Sequence, residues 1–226
     1  MTSLIENLVA SIAPHHCIVC SQENNVLCNG CLFQLIDENF SICFLCGKET
    51  RDSTVCYSCQ KQTIIQHVWL TGNYARERMN LIKQFKFERV RAATKPLATL
   101  MFEVLPQLPS STVIVPIPTA PNRIRQRGYD HTLLLAKELS YITGYPVRTL
   151  LGRHTSSRQV GASRKLRFVQ AEQAFYMTDT RQCQGATVLL VDDVVTSGAT
   201  LTAAAHSLYA AGVENINAVA VAKQQI

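Results

Sequence analysis

The sequence predicts an α/β domain with a mainly parallel sheet, preceded by a small cysteine-rich module. Three observations carry that expectation. Eight of the nine cysteines lie between Cys17 and Cys59. Beyond them, continuous apolar runs alternate with stretches whose apolar residues recur at helical spacing. One of those runs delivers Asp192 and Asp193, then passes through hydroxyl residues and a glycine into a helical pattern.

Composition bounds the class. With 226 residues, 47% hydrophobic and 17% charged, the chain is globular rather than disordered. No apolar run reaches the roughly 18 residues that would predict a membrane-spanning helix. Met1 to Ala13 carries Glu6 but no Lys or Arg, unlike the basic start of a secretory signal, so a cytoplasmic location is expected. The formal net charge of +6 is unevenly spread. Residues 1–60 hold two basic and six acidic residues, residues 61–167 hold 18 and five, and residues 168–226 hold two and five. A middle segment of net +13 points to an anionic partner.

The first element is the cysteine block. Its four Cys-x-x-Cys pairs are Cys17/Cys20, Cys28/Cys31, Cys43/Cys46 and Cys56/Cys59, separated by seven, eleven and nine residues. Two thiolates three residues apart grip one tetrahedral ion from a tight turn, and two such turns close a four-thiolate site. Eight ligands make two structural zinc sites with none left over in the block. Disulfides compete with this reading but suit an oxidising compartment, and redox activity of one pair is a lesser alternative. The simplest pairing is sequential, Cys17, Cys20, Cys28 and Cys31 around one ion and Cys43, Cys46, Cys56 and Cys59 around the other; a crossed arrangement also satisfies the spacing. His15, His16 and His67 flank the block and read as solvent-facing, since the sites are already filled. So short a segment buries little apolar surface, and its metals are expected to supply most of its folding energy. Leu32, Phe33, Leu35 and Ile36 form an apolar helical face that reads as a docking surface for the larger domain. The module is taken as residues 1–62 and the larger domain as 63–226.

The larger domain begins with two helical patterns. Residues 74–87 place Met79, Ile82, Lys83 and Lys86 at helical spacing, and residues 91–105 place Leu97, Leu100, Met101 and Val104 on one side. Strand-like runs follow at 111–118, 186–193 and 217–223, with a weaker one at 145–148. Helices lie near 131–143 and 199–211, the second stopped by Gly212. Ligands of such sheets sit at the C-terminal strand ends.

One strand end is the most informative stretch. Apolar residues from Val188 lead to Asp192 and Asp193, and Thr196, Ser197, Ala199 and Thr200 then surround Gly198. A residue without a side chain lets backbone N–H groups approach a phosphate, and the following helix N-terminus adds donors and a favourable dipole. Carboxylates just before such a cradle suit the hydroxyls of an attached sugar, so a sugar phosphate is the expected ligand. An ordinary strand-to-helix turn does not account for two carboxylates at the mouth of an apolar strand.

The stretch Val188 to Thr200 resembles the phosphoribosyl pyrophosphate motif of type I phosphoribosyltransferases. The four cysteine pairs, Tyr74, Phe85-Lys86, Val115-Pro116-Ile117-Pro118, the run Arg123 to Tyr129, Gln159, Arg164 and Arg167 follow in an order that resembles the ComF family of competence proteins over residues 14–226. The resemblance implies a type I phosphoribosyltransferase-like parallel sheet flanked by helices, with an N-terminal zinc-ribbon module. It implies that Asp192 and Asp193 contact the ribose hydroxyls and that residues 196–200 hold the 5′-phosphate. Pro118, Thr119 and Ala120 would take the place of the pyrophosphate loop, with magnesium held chiefly by the ligand's own oxygens. Residues 153–167, with Arg153, Arg158, Arg164, Lys165 and Arg167, would form a flap. The chain departs from the family pattern at Asp130-His131, where Asn-Gln is usual, and at Gln170, where Asn is usual.

Two functional classes follow, with a third between them. The family resemblance implies natural transformation, in which single-stranded DNA is received in the cytoplasm, with a DNA-translocating ATPase of the uptake machinery as a partner at the inner face of the membrane. Arg123, Arg125 and Arg127 beside Tyr129, with Lys86, Arg89, Arg164, Lys165 and Arg167, would supply charge and a stacking ring; Phe85, Phe87 and Arg91 interleave similarly. The alternative is a phosphoribosyltransferase acting on a base or amine acceptor, although no base-recognition segment is recognisable. The third is a sensor of phosphoribosyl pyrophosphate that binds a protein through the zinc knuckles.

Overall fold

The computed structural model describes residues 15–154, 174–179 and 185–225. Met1 to Ala13, the residues Arg158, Arg164, Lys165 and Arg167 of the expected flap, and also Gln159, Gln170 and Cys183 lie outside the described residues. In chain order the elements are α1 (Asn29–Leu32), β1 (Val68–Leu70), α2 (Arg76–Phe87), α3 (Thr94–Glu103), β2 (Thr112–Pro116), α4 (Pro121–Arg127), α5 (His131–Thr143), β3 (Leu151–Arg153), β4 (Phe175–Met177), β5 (Thr187–Val195), α6 (Ala199–Ala210) and β6 (Asn215–Lys223).

The apolar runs form a four-stranded parallel sheet in the order β1-β6-β5-β2. Strands buried on both faces read as unbroken apolar runs, and β5 and β6 are buried almost throughout. Alternate side chains point to opposite faces. Leu189 and Val191 join Val219 and Val221 beneath Leu81, Phe85, Leu97, Leu100, Leu135 and Leu139 of the helices on one face. Val188 and Leu190 join Ala218 and Ala220 beneath Leu201, Ala204 and Leu208 of α6 on the other.

The cysteine module contributes to both faces. Val26, Leu27, Leu32 and Leu35 belong to the first core, and Phe44 and Val55 to the second. Phe33, expected on the same apolar face, is 61% exposed. Arg78 of α2 fastens the first half: its Nη2 donates to Asp37 Oδ1 at 2.9 Å and its Nε to Leu35 O at 3.1 Å.

Several elements differ from expectation. The buried face of α2 is Arg78, Leu81, Ile82 and Phe85, while Lys83 is exposed and Met79 half-buried. Arg78 buries because its donors find distant partners. The segment 145–148 makes one parallel bridge, Val147 to Ile114, because Pro146 has no N–H to extend a ladder. β1, the antiparallel pair β3-β4 and α4 have no counterpart in the sequence pattern. β5 pairs with β6 as far as Val195, so Asp192 and Asp193 lie inside the strand. They still open to one side, since the pairing of β2 with β5 ends at Pro116 and Val191.

Candidate functional site

The C-terminal ends of β5 and β2 and the start of α6 enclose a cleft of about 310 Å³. Its lining includes Asp192, Asp193, Thr196 and Thr200 from the β5–α6 turn, Pro118, Thr119 and Ala120 after β2, and Lys86 and Phe87 from α2. A larger, shallower groove of about 620 Å³ runs past Leu133, Lys137 and Arg148 and shares no residue with the motif.

The turn is shaped for an anion. Gly198 sits at φ 78°, in the left-handed region where a Cβ is disfavoured, and it N-caps the 12-residue α6. Thr196 and Ser197 are exposed, and Ala199 and Thr200 half-buried, so the loop's outer edge and the helix N-terminus face the cleft mouth. From behind, Lys223 Nζ donates to Thr196 O at 2.5 Å. Burial pulls the Lys223 ammonium below its ordinary value, and the sulfurs of Cys43 and Cys46 push it back up.

The two carboxylates occupy different electrostatic settings. Asp193 is 2% exposed, and its Oδ2 lies 2.6 Å from Lys86 Nζ and 3.0 Å from His131 Nε2. Burial alone would raise its pKa, but the Lys86 ammonium and then His131 outweigh it and hold Asp193 well below the ordinary carboxylate range. Among the described residues, no cation contacts Asp192 as Lys86 contacts Asp193. Burial first, and the charge of Asp193 second, push it up to about 7. One carboxylate is therefore fixed and ionised, and the other half-exposed and ready to change protonation near neutrality.

His131 completes the arrangement. Arg127 Nη1 lies 2.8 Å from His131 Nδ1, and a guanidinium can only donate. Nδ1 therefore accepts in that contact, which leaves Nε2 turned toward Asp193. The neighbouring Asp130 N-caps α5 through Leu133 N and accepts from Thr119 Oγ1 at 2.8 Å, tying the loop after β2 to the helix. The departure Asp130-His131 thus lies within the site. His131, Asp192 and Asp193 also have metal-like proximity, their ligand atoms within 4.8 Å of one another. The Lys86 ammonium on the shared oxygen disfavours a cation there.

The expected nucleic-acid residues divide. Arg89, Arg123 and Arg125 are exposed. Tyr129 is only 7% exposed: its hydroxyl donates to Phe85 O, and the Arg91 guanidinium covers its ring at 5.1 Å. Phe85 is fully buried, Arg127 faces His131, and Lys86 is engaged by Asp193. These four therefore offer no free surface to a strand. The exposed ring of the region is Phe87, at 67%, on the lip of the cleft.

The cysteines form two groups in sequential pairing, Cys17, Cys20, Cys28 and Cys31, then Cys43, Cys46, Cys56 and Cys59, each with its sulfurs within 4.8 Å of one another. The two knuckles repeat one geometry: Cys17 N donates to Gln22 O and Cys43 N to Lys48 O, both at 2.8 Å. His67 Nδ1 is 2.8 Å from Asp52 O, and the ring stacks on Trp69, so it takes no part in either group. The thiols ionise unequally. Burial opposes ionisation of Cys17, but N–H donors from Cys20, Cys28 and Val19 outweigh it and bring it to about 6. Burial, then hydrogen bonding with Cys28, pushes Cys31 up to about 12. A soft dication that holds all four as thiolates resolves that competition, and four thiols at this spacing fit tetrahedral zinc.

The family model described as the phosphoribosyl transferase domain matches residues 132–226. Competence protein F of Haemophilus influenzae is 31% identical over 207 residues, covering 85% of this chain and 88% of that protein. This chain belongs to the ComF family. The relatives of this ComF chain include competence protein ComFC of Bacillus subtilis, 27% identical over 197 residues (82% of this chain, 79% of that one). The DNA utilization protein YhgH of Escherichia coli is 29% identical over 208 residues (80% and 90%). A solved structure of an allosteric regulatory enzyme of purine biosynthesis aligns at a TM-score of 0.45 with 18% identity, over 62% of this ComF chain and 30% of that enzyme. No described helix of the ComF chain is long and apolar enough to cross a membrane.

Proposed function

We propose that this protein acts in natural transformation as a handler of incoming single-stranded DNA, and that its cleft binds phosphoribosyl pyrophosphate or a related ribose phosphate. The observation that carries the ligand reading is the placement of Asp192 and Asp193 beside the Thr196–Thr200 turn at the C-terminal end of β5. Asp192 and Asp193 would accept from the ribose hydroxyls, and the N–H groups of the turn would take the 5′-phosphate. Magnesium would arrive with the pyrophosphate. The two cysteine groups would each hold one structural zinc.

The DNA reading rests on the relatives named for competence and DNA utilization, and on the basic surface carrying Arg89, Arg123 and Arg125 beside Phe87. On that reading the protein works in the cytoplasm, at the inner face of the membrane, with a DNA-translocating ATPase as partner. Calorimetric titration of phosphoribosyl pyrophosphate into wild type and Asp192→Asn tests the ligand. Wild-type binding and a weaker variant are expected; equal affinity removes the site assignment. A second reading, transfer of the phosphoribosyl group to a base or amine, is favoured by Phe87 at the cleft lip, where a base could stack. Pyrophosphate release on adding an acceptor would establish it.

A further inference from the structure

We propose that the Cys43–Cys46 knuckle is the back wall of the phosphate loop, so that metal loading of the second cysteine group sets affinity for a ribose phosphate in the cleft. The inference rests on the ligand reading above for its functional consequence, and on packing for its structural one.

A Cβ on Gly198 would lie 2.7 Å from Phe44 Cε2 and 2.8 Å from Leu45 Cδ2. The loop's glycine is thus required twice, by its left-handed φ and by the knuckle pressed against it. Phe44 and Leu45 are the two residues between the ligands Cys43 and Cys46. Phe44 is 1% exposed and shares a core with Leu201 and Ala204 of α6, the helix that the loop opens. The loop therefore meets the second knuckle at its glycine.

The first cysteine group packs into the core on the opposite face of the sheet. It has no part in these contacts, and that asymmetry makes the inference specific. An ion that fixes Cys43 and Cys46 fixes the two residues between them, and those fix the loop. Coupling of this kind is reciprocal: if metal tightens ligand binding by some factor, ligand tightens metal binding by the same factor.

The test uses the full zinc-loaded chain with Leu45→Ala and Phe44→Leu, two changes that leave every cysteine in place. Three quantities are measured: affinity for phosphoribosyl pyrophosphate with magnesium, zinc retention against a chromophoric chelator with and without that ligand, and amide hydrogen exchange over residues 196–200. Both variants should bind the ligand about ten-fold more weakly and exchange faster in the loop. In wild type the ligand should strengthen zinc retention by a matching factor, and by less in the variants. Cys20→Ser, which disturbs only the first group, should leave affinity within about two-fold. Unchanged loop exchange and unchanged affinity in both knuckle variants, with two zinc ions retained, would overturn the inference. If wild type binds no phosphoribosyl pyrophosphate, the ligand reading falls, and exchange over residues 196–200 then decides the bracing by itself.

Discussion

Lys86 Nζ lies 2.6 Å from Asp193 Oδ2, with 17% and 3% of the two side chains exposed. This ion pair joins α2 to the centre of the sheet and gives the two adjacent carboxylates opposite characters. Removing one member of a buried pair strands the other charge. Lys86→Met should therefore cost about 3 kcal/mol of stability at neutral pH, measured by chemical denaturation. The sign with pH follows from the depressed Asp193. Its contribution is present above the unfolded value of 3.8 and declines as pH falls below it. The gap between wild type and Lys86→Met should be widest at neutral pH and narrow as pH falls, first as the unpaired, buried Asp193 of the variant takes up a proton and then, below about pH 4, as the wild-type carboxylate does.

Asp192 titrates in the opposite sense. Its pKa is raised to about 7, so its neutral form is favoured in the folded protein below that pH, and stability of the unliganded fold is lost as pH rises from 3.8 to about 7. Ribose hydroxyls donate best to a carboxylate. Ligand binding must then displace a proton when the pH is below about 7, and affinity should rise with pH toward that value. Titrations in buffers of different ionisation enthalpy should show proton release near pH 6.5 in wild type. Asp192→Asn should lose that release, while the pH dependence of the ligand's own phosphates stays.

For single-stranded DNA, the two aromatic positions should separate cleanly. Phe87→Ala removes the exposed ring and should weaken binding about ten-fold, with the salt slope nearly unchanged. Arg123→Ala and Arg125→Ala should each reduce the salt slope by about one unit. Tyr129→Phe removes the buried bond to Phe85 O and should lower stability by about 1 kcal/mol without altering DNA affinity. Fluorescence anisotropy at several salt concentrations measures all four. DNA binding that depends on Tyr129 and ignores Phe87 would overturn the assignment of the surface.

The legible parts of this fold were those written in local sequence. The β5–α6 turn announces itself because an apolar strand, two carboxylates, hydroxyls and a glycine follow one another without a gap, and the cysteine groups because their spacing is the geometry of the site. What the sequence concealed depends on contacts between distant residues. Arg78 reads as a surface charge until Leu35 and Asp37 supply its partners. Lys86 and Tyr129 read as an exposed cation and ring because Asp193 and Phe85 are far along the chain. β1 is three residues long, and β3 and β4 are separated by the segment between Arg153 and Phe175. No periodicity survives at those lengths. The Asp130-His131 departure was visible, but its meaning needed α5 to bring His131 against Asp193.

The metals should matter to the sheet as well as to the module. Leu32 and Leu35 follow the last ligand of the first group into one core, and Phe44 and Val55 lie between ligands of the second in the other. Elemental measurement should give two zinc ions per chain, and Cys20→Ser or Cys46→Ser should each give one. Because each group anchors a different face, either loss should lower the temperature at which that face opens and leave the fold intact below it. Thermal unfolding of the single-site variants should then lose its single cooperative transition, and removal of both metals should abolish the transition. Native-like unfolding after complete chelation would show that the sheet does not depend on the knuckles that clasp it.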